Sequence, residues 1–171
     1  MLARNELIFR WSIYALAALL CLAVQGLVLQ RLTIWGVVPF LYPLLAAIPA
    51  TYEEPVPATV FALVLGVVCD LALPEAVPCF YTLVFPVVGL LSALLVQGAV
   101  SNGFLCSAMV AVLAYLLCGA AHCLALLRHD GAGLWAAGLG LALRELCVAL
   151  PFTIPLTLLF RAVHRRTHWN D

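Results

Sequence analysis

The sequence predicts an all-α, polytopic membrane protein with about six transmembrane helices. Three observations carry that expectation. Of the 171 residues, 66% are hydrophobic and only 9% are charged, against about 45–50% and about 25% in a soluble domain. The charge is balanced, with eight arginines, no lysine and eight acidic residues. The apolar residues form continuous blocks, whereas a transmembrane barrel would alternate apolar and polar over roughly ten-residue segments. A soluble chain needs far more polar surface than this one offers. Disorder is excluded because it needs low hydrophobicity and high net charge. Nucleic acid is not an expected partner, since no basic patch exists to neutralise phosphates. Lipid forces each block to satisfy its own backbone, so the blocks are helices of about 20 residues.

The elements follow in order. Span one covers about Trp11 to Leu29, between Arg10 and Arg31. It reads as a retained span and not a cleaved signal, because no A-x-A site follows and further spans come after. Span two covers about Gly36 to Thr51. It is short and carries Pro39, Pro43 and Pro49, which kink or tilt a helix. Span three covers about Val56 to Leu73, with Pro55 and Pro57 at its start, where a missing N–H costs little. Span four covers about Phe80 to Gln97 and contains Pro86. Ser101-Asn102-Gly103 reads as a turn, and span five covers about Phe104 to Leu127. Arg128-His129-Asp130-Gly131 reads as a polar loop. The Gly-rich stretch Gly133 to Leu143 reads as an interfacial helix or an extension of the last span, which covers about Ala142 to Phe160. All six belong to one integral membrane domain.

Arginines set the orientation. Arg4 and Arg10 lie in the N-terminal tail, and Arg161, Arg165 and Arg166 in the C-terminal tail. Six spans put both tails on one side, and the basic side is cytoplasmic. The loop Tyr52-Glu53-Glu54-Pro55 falls on that side too and is acidic, which carries little weight in topology. Trp11, Trp35, Trp135 and Trp169 fall near span ends, as aromatic belts do.

Ionisable groups at membrane depth are the first candidates for function. Asp70 closes span three in Gly66-Val67-Val68-Cys69-Asp70-Leu71. Three roles fit it: an interfacial group meeting water or capping a backbone, a structural role inside the bundle, or contact with a partner or ligand. Ala58, Ala62 and Gly66 recur every four residues behind it, a small-residue stripe on which another helix can sit closely. Arg144 and Glu145 are the second case. Neighbours on a helix point about 100° apart, so each needs its own partner, and an Asp70–Arg144 pair is one possibility. Glu53 and Glu54 precede span three, where the helix dipole favours carboxylates. His122 reads as a satisfied buried histidine.

The seven cysteines include no C-x-x-C, and they read as small buried apolar residues. Cys118 and His122 stand four apart with Cys123 beside them, but no third metal ligand is identifiable. There is no H-E-x-x-H, G-x-S-x-G or Walker A sequence, and Asp70 lacks a second intramembrane carboxylate. No catalytic residue, metal or cofactor is expected, and the chain is not expected to be an enzyme.

The order of features resembles the MreD family of bacterial rod-shape membrane proteins. The features are a basic tail, a short Pro-containing second span, G-x-x-x-D closing the third, a Pro/Gly loop, and a last span with prolines that ends in arginines. The closest stretch is Val38 to Ala99, above all Phe61 to Leu71, together with Leu150-Pro151, Pro155-Leu156 and Arg165-Arg166. The acidic Glu53-Glu54 departs from the basic loop expected there. The resemblance implies a non-enzymatic scaffold of the cell-elongation machinery in the bacterial cytoplasmic membrane. It implies binding to MreC, a single-span partner, and indirect links to the MreB cytoskeleton and the peptidoglycan polymerase and transpeptidase. Asp70 is the one position it transfers. The stripe Ala58/Ala62/Gly66 is the face that packing suggests for the partner's helix. The family is similar in fold to the substrate-binding S components of ECF vitamin transporters, so an S-component-like bundle is expected. That gives the alternative function. S components typically carry A-x-x-x-A in span one, and span one here has no alanines spaced by four.

Overall fold

The structure, a computed structural model, describes residues 2–73, 78–99, 103–130 and 135–167. Pro74 and Glu75, Ser101-Asn102 of the expected turn, Gly131 of the expected loop, and Trp169 lie outside the described residues. The chain is an all-α, multi-pass bundle. Its helices are α1 (Leu2–Leu27), α2 (Tyr42–Ala50), α3 (Pro55–Ala72), α4 (Phe80–Ala99), α5 (Phe104–Asp130), α6 (Trp135–Ala149) and α7 (Thr153–Thr167). A 3₁₀ turn, Leu150–Phe152, joins α6 to α7. Pro151 sits in that turn, where its missing N–H and its ring break the α ladder. Among the described residues, five segments are long and apolar enough to cross a membrane: Ile8–Arg31, Pro55–Ala72, Phe80–Gln97, Phe104–Ala125 and Gly140–Thr167.

The second expected span differs. Only Tyr42–Ala50 is helical, nine residues, or about 13.5 Å, which is too short to span. The approach to it is irregular. At its start Ile34 and Val37 exchange both backbone hydrogen bonds, at 2.9 and 3.0 Å. Between them Trp35 and Gly36 have φ of 54° and 77°, as a tight two-residue hairpin turn requires. Pro39 lies in the non-helical approach and disfavours the α region before it, whereas Pro43 sits in the first turn of α2, where a missing N–H costs little. Every residue of α2 is buried. It is the hub of the bundle, packed by α1, α3, α4, α5 and α7.

Non-helical backbone at this depth needs partners from inside the protein. Gln25 of α1 supplies two of them. Its Oε1 accepts from the Leu41 N–H at 3.3 Å, and its Nε2 donates to the Pro39 carbonyl. The Tyr115 hydroxyl of α5 donates to the Phe40 carbonyl. Arg128, His129 and Asp130, expected in a polar loop, are helical, since α5 continues to Asp130. The Gly-rich stretch extends the last span, because α6 runs helically from Trp135 into Gly140–Thr167.

Candidate functional site

The α3–α4 pair is the most extensive helix contact in the bundle, and the small-residue stripe explains it. Ala58 and Ala62 are 2% and 0% exposed. A Cβ on Gly89 of α4 would lie 2.7 Å from the Ala62 Cβ, and one on Gly66 would lie 2.6 Å from the Tyr81 carbonyl oxygen. Both distances are below van der Waals contact, so neither glycine has room for a side chain. This corrects the expectation that a partner's helix sits on Ala58/Ala62/Gly66. The face is filled by α4 of the same chain.

Asp70 finishes the same contact. Its Oδ1 accepts from the Tyr81 N–H at 2.9 Å, and its Oδ2 from the Thr82 N–H at 2.8 Å and from the Thr82 hydroxyl. Those N–H groups open α4 and have no intrahelical acceptor. The carboxylate of one helix therefore caps the next, where the positive end of the helix dipole favours an anion. Cys79, at φ 58°, turns the chain so that these N–H groups face back toward α3. The suggested Asp70–Arg144 pair does not form. Both carboxylate oxygens of Asp70 serve α4, and Arg144 stands exposed on α6.

Glu145 has a different setting. With Phe40, Tyr81, Tyr115, Cys118 and His122 it lines a cavity of about 210 Å³ among α4, α5, α6 and the segment before α2. His122 Nδ1 meets the Cys118 carbonyl oxygen at 3.0 Å, and its ring lies 4.2 Å from that of Phe80. Close α5–α6 packing shapes this cavity, since a Cβ on Gly119 would lie 3.1 Å from that of Ala142. No group of three or more His, Cys, Asp and Glu side chains able to hold a metal ion occurs among the described residues.

The opposite end of the bundle gathers the N-terminal part of α1 and the C-terminal part of α7. Glu53 pairs there with Arg10 of α1, across 43 residues of sequence, and its side chain is only 3% exposed. His164 of α7 stands 4.0 Å from Glu53 and 3.4 Å from the Tyr14 hydroxyl. Trp11, Tyr14, Phe61 and Phe160 pack beneath, with ring centroids 5.8–6.2 Å apart and Tyr14 stacked on Phe160. Glu53 thus ties α1 to the α2–α3 connection and does not cap α3. Neither does Glu54, which sits at the N-cap position without a side-chain capping bond. A second cavity, of about 260 Å³, opens beside this cluster and is lined by Tyr52, Phe104, Thr157, Arg161, His164 and Arg165 among others. Burial pushes the Tyr52 phenol above its ordinary value, and Arg161 opposes that rise.

Sequence reasoning missed Gln25, Tyr14 and Tyr115. Gln25 carried a signal, as an amide within an apolar span with no partner on its own helix. The two tyrosines carried none, because phenols are frequent in such blocks. No family model matches the chain, and neither a curated protein nor a solved structure does.

Proposed function

We propose that the chain is a non-enzymatic scaffold of the bacterial cell-elongation machinery, required for rod shape and lateral peptidoglycan synthesis, that acts by binding an MreC-like single-span partner. One observation carries this reading. Four polar side chains tie the chain's own elements together: Asp70 binds α4, Gln25 and Tyr115 bind the segment before α2, and Arg10 binds Glu53. A bundle held this way presents apolar helix faces to its surroundings. On α1, Leu16, Leu19, Leu20 and Leu27 are all more than half exposed. A face of that kind accepts lipid or a single apolar helix.

The acidic departure from the family pattern has a structural role on this reading. Glu53 is answered within the chain by Arg10, so the loop need not be basic. Arg10, Arg161, Arg165 and Arg166 share the end that gathers the N-terminal part of α1 and the C-terminal part of α7, which supports a cytoplasmic placement of that end in the cytoplasmic membrane.

The S-component alternative has one observation in its favour. The cavity lined by Glu145, His122 and Tyr115 sets a few polar groups among apolar walls, as small-molecule sites do, but at about 210 Å³ it is smaller than the roughly 300–1,000 Å³ usual for them. Depletion in a rod-shaped bacterium tests the scaffold reading. Cells should round up and lose lateral wall synthesis. Cells that remain rods with unchanged lateral synthesis would contradict it.

A further inference from the structure

The cavity beside the Arg10–Glu53 pair joins a basic rim to an apolar wall. Six of its lining residues, Ile154, Thr157, Leu158, Arg161, His164 and Arg165, belong to α7. Their spacing of three and four places them on one helical face. That face changes character along its length. Ile154 and Leu158 are 48% and 61% exposed and apolar, and Arg161 and Arg165 follow, exposed and cationic. Phe104 of α5, 52% exposed, adds apolar surface to the opposite wall. The order matches a phospholipid, from acyl chain to phosphate.

A second observation points to a ligand with oxygen acceptors. Thr157 lies at the junction of the two halves and is 94% buried, since 6% of it is exposed. Its hydroxyl has no hydrogen-bond partner, where buried hydroxyls ordinarily have one. Neither acid of the α2–α3 connection, Glu53 or the exposed Glu54, lines the cavity. Glu53 meets His164 at 4.0 Å but is paired with Arg10. We propose that this cavity binds an anionic phospholipid, with its phosphate between Arg161 and Arg165 and one acyl chain along Ile154 and Leu158. Basic pockets between transmembrane helices are suited to such headgroups. The site is independent of the scaffold reading and of which side of the membrane this end faces.

The test uses the full chain in detergent and in bilayer discs. Native mass spectrometry would compare phosphatidylglycerol with phosphatidylcholine of the same acyl chains, and thermal stability would be followed with inorganic phosphate alone. Phosphatidylglycerol should be retained preferentially. Arg161→Gln with Arg165→Gln should reduce that preference by about ten-fold or more, because each basic side chain near an anionic headgroup contributes roughly five-fold. Arg161→Lys with Arg165→Lys should keep most of it, and Thr157→Val should weaken retention about two- to three-fold. Arg31→Gln, at the other end of α1, should change nothing. Equal retention of the two lipids by the unmodified chain would overturn the proposal whatever the variants do. So would stabilisation by inorganic phosphate without lipid preference, because the site would then belong to a free anion.

Discussion

Asp70 closes the apolar helix α3 and turns both carboxylate oxygens toward the next helix. Three hydrogen-bond donors from the first turn of α4 replace water around its carboxylate. Hydrogen bonds to a charged acceptor are each worth about 1.5–3 kcal/mol, so this one side chain fixes the angle between two helices. Asp70→Asn keeps an acceptor but loses the charge and one acceptor site. It should cost about 1–2 kcal/mol, read as a lower unfolding temperature of the purified chain in detergent. Asp70→Leu should cost more, because the opening N–H groups of α4 are then left without an acceptor. An unchanged unfolding temperature in Asp70→Leu would contradict the capping role. At this scale the sequence identified the right group and left its partner open. A carboxylate four residues after a glycine in an apolar helix stands out by composition. Its partners do not, because they are backbone N–H groups that any residue supplies. Only the turn through Cys79 brings them into place.

The stripe Ala58/Ala62/Gly66 was equally plain in the sequence as a surface for close helix approach. Spacing alone does not say whether the approaching helix belongs to the same chain. Here it is α4, whose Gly89 meets Ala62 from the other side. Gly66→Ala should therefore act on stability. The added methyl would overlap the Tyr81 carbonyl, and α4 must shift, at a cost of about 1–3 kcal/mol. The neighbouring Val67→Leu, at an exposed position, should stay within about 0.5 kcal/mol. Comparing the two unfolding temperatures separates an internal packing face from a lipid-facing one, and equal values would contradict the internal assignment. The α2 region was the least legible element. Hydropathy marks its residues as apolar, and so they are. The replacement of half a span by extended backbone depends on Gln25 and Tyr115 from distant helices, and no local signal encodes that.

For the whole molecule, the six expected spans put both tails on one side, and Arg10 of α1, Glu53 and His164 of α7 meet at one end of the bundle. The long apolar blocks emerged as helices close to their expected bounds, because lipid leaves a continuous apolar segment few other structures. Cavities were beyond sequence reasoning. They arise where α5, α6 and α7 fail to close on their neighbours, and no spacing rule reports that. The two cavities divide the functional questions cleanly. The one lined by Glu145 and His122 belongs to the ligand-binding alternative, and the one beside Arg161 and Arg165 belongs to lipid binding. The scaffold reading needs neither. Its most direct test is co-purification from membranes that contain the tagged chain, an MreC-like single-span protein and an ECF transporter module. The scaffold account predicts that the single-span protein is recovered in stoichiometric amounts and the transporter module is not. Recovery of the transporter module alone would contradict it.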